Sequence, residues 1–285
     1  MCLVALAWKV HPRWRLLLAG NRDEFHARPT APLAHWAMSP HLMAGQDLQS
    51  GGTWAGVEAG GRVAVVTNVR DPAIQVPGAP SRGQLPAGFL QSPDSVDHRA
   101  TGLLVAAEVF APFNLLLADA TDCEYLSNYP TPRRITLAPG VHALSNGDLD
   151  EPWPKTMALK ERLAGWVASE RDDVGPLWAA LADETPAPDE HLPDTGVGID
   201  LERMLSPAFI RGERYGTRAS TLIAVDHAGQ GWISERRFGP EGVFEGRRRC
   251  GSGLVRNERP TAETPRSRLT SLPQETCPCA ALPAP

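Results

Sequence analysis

The sequence predicts an α+β fold with mostly antiparallel sheets, two of them stacked between two layers of helices. Short apolar runs of strand length alternate in groups with helical segments, in the order strands, helices, strands, helices, strands. Hairpin-type turns join several of the apolar runs. The glycine patterns typical of dinucleotide-binding and P-loop proteins are absent from the sequence. A layered antiparallel architecture therefore fits better than a βαβ alternation.

The first half of the chain opens with a predicted hairpin, since His11-Pro12-Arg13 separates two apolar runs. The predicted strands of this half cover residues 2–8, 15–20, 42–44, 52–57 and 62–67. Gly60-Gly61 suits a tight turn between the last two, because glycine tolerates positive φ. A proline-rich loop over residues 74–81 then precedes helices predicted over residues 84–91 and 95–109.

The second half repeats the pattern and ends in a segment of different composition. Strands are predicted over residues 113–118, 123–127, 133–136 and 141–145, then helices over 155–169 and 173–182, a loop over 185–199, and strands over 220–225 and 230–236. Residues 247–285 are rich in Pro, Arg, Ser and Thr, which favours disorder. We therefore predict one domain over residues 1–246 and a disordered tail over 247–285.

Composition excludes several classes of partner. The formal net charge of the 285 residues is −5, which does not favour binding to nucleic acid. The most apolar stretch, residues 103–120, contains Glu108, Asn114 and Asp119, so we expect no membrane span. No basic leader precedes residues 2–8, so we expect no signal peptide and a cytoplasmic protein.

The cysteines indicate neither a disulfide framework nor a metal site. There are five, at Cys2, Cys123, Cys250, Cys277 and Cys279. An odd, scattered set is not typical of disulfide scaffolds, and the spacing of the last two does not fit a zinc knuckle. The eight histidines show no haem-ligating pattern. We expect no metal and no cofactor.

Cys2 is the candidate nucleophile, because removal of Met1 would expose its thiol and its α-amine on one residue. The amine titrates at about 8 and the thiol at about 8.5, so the amine can serve as the base for its own nucleophile. The return strand of the predicted hairpin brings Arg22 and Asp23 beside Cys2. An arginine lowers the pKa of a neighbouring thiol, and an aspartate can orient the amine. The alternative is an exposed, charged turn at residues 21–25.

A series of short motifs is distributed along the chain in a specific order. These are MC at the start, AGNRDEF at 19–25, RP at 28–29, GGTWAGV at 51–57, TNVRDP at 67–72, SRGQL at 81–85, FNLLLAD at 113–119, LSN at 144–146, EPWPK at 151–155, YGTRASTLIAVD at 215–226 and SERRFG at 234–239. The series resembles the NRDE-domain family, the homologues of the transport and Golgi organisation protein. Members of that family close with a further strand after SERRFG, for which the sequence beyond residue 247 predicts no counterpart.

The resemblance implies both a fold and a site. The family is similar in layout to the cysteine N-terminal-nucleophile hydrolases, which implies a four-layer αββα sandwich with mostly antiparallel sheets. Matching motifs in order implies the catalytic set Cys2, Arg22, Asp23, Asn68, Asn146 and Arg218. The order Asn21-Arg22 is reversed relative to the usual Arg-Asn of those hydrolases. Without the resemblance, Asn68 and Asn146 would be interpreted as turn residues and Arg218 as a surface charge.

Two further residues are candidates for substrate binding. Trp54 follows Gly51-Gly52-Thr53, where adjacent glycines permit a close backbone approach beside a flat ring. Asn21 adjoins the Arg22-Asp23 pair. A bend at the entry of a strand is the alternative interpretation of the glycine pair.

Two functions fit these residues. The first is a thiol-dependent amidohydrolase that cleaves the C–N bond of a small amide through an acyl-enzyme at Cys2. The second is a non-catalytic binding or transfer protein for an apolar ligand, haem or an acyl lipid. The sequence alone names neither the substrate nor the oligomeric state.

Overall fold

The computed structural model describes residues 3–251. Cys2 and residues 252–285 of the predicted tail therefore lie outside the described residues. The strands are β1 Leu3–Trp8, β2 Trp14–Phe25, β3 Thr30–Trp36, β4 Ser39–Asp47, β5 Ala55–Glu58, β6 Val63–Asn68, β7 Phe113–Ala118, β8 Cys123–Ser127, β9 Arg133–Thr136, β10 Gly140–Leu144, β11 Tyr215–Asp226, β12 Gly231–Phe238 and β13 Phe244–Gly251. The helices are α1 Gln84–Gln91, α2 Val96–Val105, α3 Pro154–Ala168, α4 Gly175–Leu181 and α5 Ile199–Leu205.

The strands form two fully antiparallel sheets. One has six strands in the order β10-β1-β2-β11-β12-β13, and the other has seven in the order β3-β4-β5-β6-β7-β8-β9. The hairpin of β1 and β2 lies inside the six-stranded sheet and continues onto β11, which is distant in sequence. All six residues of β1 are buried. A strand that is covered on both faces needs apolar side chains on both, which explains the unbroken apolar run of β1.

Three apolar clusters separate four layers. The largest lies between the two sheets and includes Leu6, Val65 and Ile233. A second joins the outer face of the six-stranded sheet to α3 and α4, and a third joins the outer face of the seven-stranded sheet to α1 and α2. The predicted four-layer αββα arrangement with mostly antiparallel sheets is confirmed.

Local sequence signals account for most element boundaries. Ser95 caps α2 by accepting a hydrogen bond from the backbone N–H of His98 at 3.2 Å, and Pro154 begins α3 at the position where proline is favoured. The strand predictions at β7, β8 and β9 and the helix prediction at α1 have the bounds found in the structure.

Three elements are absent from the sequence prediction. β3 contains Pro32 and two register shifts, so its pattern is irregular; it lies at the edge of its sheet, where proline is tolerated. α5 has seven residues and follows Gly198 at φ +86°, inside a stretch that otherwise resembles a loop. β13 is rich in arginine and is also an edge strand.

The strand β13 corrects the predicted domain boundary. It pairs with β12 from Phe244 to Gly251, so residues 247–251 belong to the folded sheet and the expected loss of a closing strand was wrong. Charged side chains suit a sheet edge, because they discourage pairing with other chains. They also remove the apolar pattern by which a strand is predicted from sequence. Among residues 3–251, no helix has the length and apolarity needed to cross a bilayer.

Candidate functional site

The end of β2 places the first predicted site residues between two other strands. Leu3, the first described residue of β1, pairs with Asn21, while Thr217 and Ala219 of β11 pair with Asp23 and Arg22. Because side chains alternate along a strand, Asn21 and Asp23 point to the opposite face from Arg22. The hairpin therefore brings the Arg22-Asp23 pair beside Leu3, the first residue that the structure describes, while Cys2 itself lies outside the described residues.

Asp23 is a fully buried carboxylate. Its Oδ1 accepts a hydrogen bond from Thr217 Oγ1 at 2.7 Å. Burial raises the pKa of Asp23, while the charge of the buried Lys155 and the Thr217 hydroxyl act in the opposite direction. A further positive charge beside Asp23 would act with Lys155 to stabilise the ionised carboxylate.

Arg22 lies over the indole ring of Trp54. Its guanidinium carbon lies 4.5 Å from the ring centroid of Trp54, and its Nη2 lies 3.7 Å from Glu24 Oε2 and 4.0 Å from Asp47 Oδ2. Arg22 is only 4% exposed. The cation–π contact and the two carboxylates hold the guanidinium charge at the cleft wall.

A cleft of about 440 Å³ opens between the ends of the two sheets. Four of the predicted residues line it together, namely Arg22, Asp23, Trp54 and Asn68. Its other polar walls are formed by Glu24, Arg28, Asp47, Ser50, Ser81 and Arg82. Asn68 ends β6 and is exposed, which leaves its amide available to the cleft. The cleft is therefore a mixed-charge, mostly polar site.

Asn146 lies beside this cleft and faces a second cavity. Its Nδ2 donates a hydrogen bond to the backbone carbonyl of Asn68 at 2.8 Å, and its own carbonyl accepts one from the Arg70 N–H at 2.8 Å. The second cavity has a volume of about 350 Å³ and is lined by Asn146, Arg70, Tyr129 and Trp153 among others. This hydrogen bond links a residue of the second cavity to Asn68 of the first.

Arg218 lies behind Arg22, outside the main cleft. A register shift between Thr217 and Ala219 falls at this residue. Its guanidinium donates to the backbone carbonyls of Phe25 and Arg28, and it shares a small cavity with Arg22, Trp54 and the fully buried Glu235. Arg218 thus stabilises the turn after β2. Its influence on the main cleft is indirect, through Arg22 and the other residues of the small cavity.

The structure does not place Asn21 on the cleft. Asn21 is 0% exposed, and its amide donates to the backbone carbonyls of Leu181 at 2.8 Å and Ala208 at 2.7 Å. Its Oδ1 accepts a hydrogen bond from Ser220 Oγ at 2.7 Å. The expected contact with substrate was wrong, because β2 continues through this residue and directs it towards the helices.

Several residues of the cleft were missed by sequence reasoning. Arg28 Nε binds Asp47 Oδ2 at 2.7 Å, and this pair forms one wall. Burial alone would raise the pKa of Asp47, but the Arg28 hydrogen bond and charge, with N–H donors from Gln49 and Ser50, lower it overall. Arg28 and Arg82 belong to the motifs RP and SRGQL, so a signal was present without an assigned role.

A family model and the related sequences identify the same family for this chain. Residues 1–240 match the family described as Transport and Golgi organisation 2. The human Transport and Golgi organization protein 2 homolog is 32% identical over 260 residues, which cover 83% of this chain and 92% of the human protein. The mouse homolog is 30% identical over 259 residues with the same coverage.

Among solved structures, penicillin V acylase from Agrobacterium tumefaciens superposes with a TM-score of 0.48 at 10% identity, covering 88% of this chain and 86% of that chain. The sequence matches extend through the motifs that carry Arg22, Asp23, Asn68, Asn146 and Arg218. The chain belongs to the Transport and Golgi organisation 2 family.

Proposed function

We propose that the protein is a thiol-dependent amidohydrolase that cleaves the C–N bond of a small polar amide, with Cys2 as its nucleophile. The observation that carries the proposal is the register of β1 on β2, in which Leu3 pairs with Asn21. Continued by one residue, that register would pair Cys2 with Arg22 and set its α-amine near Asp23. An adjacent arginine stabilises a thiolate, and a buried carboxylate favours an ammonium group.

The reaction would proceed through a thioester. The α-amine takes the thiol proton, and the sulfur attacks the amide carbon to give a tetrahedral oxyanion. The C–N bond then breaks and the leaving nitrogen receives that proton from the ammonium group. Water next attacks the thioester, which releases the carboxylic acid and restores the thiol. No step needs a metal or a cofactor.

The two asparagines would have different roles. The Asn68 side chain is exposed to the cleft, so its amide N–H is suited to the developing oxyanion. The Asn146 amide is bound to the Asn68 carbonyl, so Asn146 is better suited to positioning Asn68. Arg22 would stabilise the thiolate, while Arg218 would support Arg22 from behind.

The lining of the cleft favours a polar amide over an apolar ligand. Three arginines and three carboxylates reach it, from Arg22, Arg28, Arg82, Asp23, Glu24 and Asp47. Its apolar walls are limited to Trp54 and five smaller side chains. Haem or an acyl chain would leave these charges without water, which costs free energy. The carrier alternative is therefore the weaker of the two.

The test combines mass and reactivity. We expect the purified protein to lack Met1 and to be labelled at Cys2 by a thiol-directed acylating probe at neutral pH. Cys2→Ala should abolish the labelling. Cys123→Ala is the matched control and should leave it unchanged, because Cys123 is fully buried and its thiol pKa is raised by burial. Retention of Met1, or equal labelling of Cys2→Ala, would contradict the proposal, and saturable haem binding would favour the carrier.

A further inference from the structure

A cluster of arginines lies on the outer face of β12 and β13, away from the cleft. Register pairs Arg236 with Arg247 and Ser234 with Arg249, so these four side chains share one face of the sheet. We call Arg236, Arg247 and Arg249 the arginine face. The net charge of −5 gives no hint of this cluster, because the antiparallel pairing of the arginines of β12 with those of the next strand, β13, creates it.

Aromatic rings hold two of these guanidiniums in place. Arg236 lies 4.4 Å from the ring centroid of Trp178, and Arg249 lies 4.4 Å from that of Trp232. Both indoles belong to the buried cluster between this sheet and α3–α4. Arg247 lies beside them, with its Nε 3.4 Å from Ser234 Oγ. These cation–π contacts restrict the two guanidiniums before a ligand binds, which reduces the entropy lost on binding.

The like charges on this face act against one another. Burial lowers the pKa of Arg247 to about 10, and the charges of Arg236 and Arg249 add to that effect. Each arginine also makes contacts within the chain. A guanidinium has five N–H donors, however, so an anion can add to such contacts without replacing them. A multiply charged anion would relieve the repulsion among three cations.

We propose that the arginine face binds a phosphate-bearing anion. Arginine recognises phosphate oxygens through paired N–H donors, and three half-buried guanidiniums suit a ligand with two or more negative charges. The phosphate belongs to a free phosphorylated compound or to a lipid headgroup, since both present the same oxygens. The site is independent of Cys2 and of the amidohydrolase proposal.

The first test measures binding of inorganic pyrophosphate to the full chain by calorimetry and by the shift in melting temperature. We expect saturable binding and a higher melting temperature. Arg247→Gln should weaken pyrophosphate binding at least about tenfold, since a charge-assisted hydrogen bond contributes about 1.5–3 kcal/mol. Without ligand, the same substitution should leave the melting temperature unchanged or raise it, because one repulsive charge is removed.

Arg248→Gln is the matched control. Arg248 lies between the two arginines of β13 but on the opposite face, towards Glu235, so its removal changes net charge equally and should leave pyrophosphate affinity unchanged. If Arg247→Gln does not fold, Arg236→Gln on the neighbouring strand serves instead. Equal weakening by Arg248→Gln overturns the proposal.

A second arm identifies the source of the phosphate. Phosphatidylcholine vesicles with and without phosphatidic acid are tested for co-sedimentation with the full chain. Retention only on the acidic vesicles, lost in Arg247→Gln, assigns a lipid headgroup. Binding of pyrophosphate without vesicle retention assigns a free phosphorylated compound. Failure of both probes to bind removes the site.

Discussion

Thr217 and Thr221 lie on the same strand and differ in what their hydroxyls contact. The Thr217 hydroxyl donates to Asp23 and also accepts a hydrogen bond from the backbone N–H of Ile210 at 2.9 Å. The Thr221 hydroxyl is buried and, within residues 3–251, has no hydrogen-bond partner. The pair therefore separates the contribution of the Asp23 contact from that of burying a threonine on β11.

Replacing Thr217 with valine should destabilise the protein by about 1–3 kcal/mol, because a buried carboxylate and a backbone N–H each lose a partner. Thr221→Val should be neutral or stabilising, because it removes a buried polar atom without breaking a hydrogen bond. Urea unfolding of the two variants measures the difference. Equal losses in both would mean that the contact with Asp23 contributes little to stability.

The site residues could be named from the sequence more easily than they could be oriented. Motif order selected Arg22, Asp23 and Asn68, the glycine pair before an aromatic ring selected Trp54, and all four line one cleft. The prediction for Asn21 was wrong because the direction of its side chain depends on where β2 ends. The apolar run stops at Gly20, but pairing with β11 continues the strand to Phe25, so Asn21 lies inside the strand, and its amide is held by the carbonyls of Leu181 and Ala208.

At the level of elements, β13 shows why the closing strand was hidden. Its seven paired residues include three arginines and two glycines, so neither an apolar run nor a clean alternation appears. The neighbour β12 and the indoles beneath it decide that these residues form a strand, and that information is tertiary. By contrast, β7 is covered on both faces, and its largely apolar run shows its limits directly.

Ending the chain after Val243 should lower the unfolding free energy by more than about 3 kcal/mol, because it removes several ladder hydrogen bonds worth about 0.5–1.5 kcal/mol each and uncovers Trp232. Ending it after Gly251 should change the melting temperature little, as the composition of residues 252–285 predicts. Thermal unfolding of both truncated chains checks this. A large drop for the longer chain would show that residues after Gly251 contribute to stability.

At the scale of the whole molecule, the layer order was predictable and the strand order was not. Groups of strands and helices in sequence imply layers, since each apolar face must be covered. The pairing of β2 with β11 joins segments about 200 residues apart. No local pattern specifies such a partner, because both strands are buried on both faces and would fit any neighbour of similar length.

Acid stability of the whole fold should depend on Asp150, which links β10 to α3. Its carboxylate accepts from the Ala143 N–H at 2.7 Å and Lys160 Nζ at 2.8 Å, and lies 3.1 Å from His142 Nδ1. Burial alone would raise the pKa of Asp150, but these contacts lower it to about 2. The depressed pKa stabilises the fold above the unfolded value of about 3.9, and this contribution is lost as pH falls towards about 2.

Asp150→Asn should therefore reduce stability at about pH 6 and make the decline between about pH 4 and about pH 2 shallower. Free energies of unfolding in urea at several pH values measure the slope. Asp200→Asn is a control, because Asp200 is 94% exposed. Identical slopes for wild type and Asp150→Asn would exclude this carboxylate as a source of acid sensitivity.

The position of β2 has a consequence for how a substrate enters. Ten of its twelve residues are buried, and it is paired along both edges near the middle of a six-stranded sheet. Amide hydrogens of Arg22 and Asp23 should exchange with solvent only when most of the molecule opens. In the proposed reaction this side of the cleft stays fixed, and we expect the rate of substrate entry to depend on another part of the lining, the connection between β6 and α1 that contains Val76 and residues 79–83.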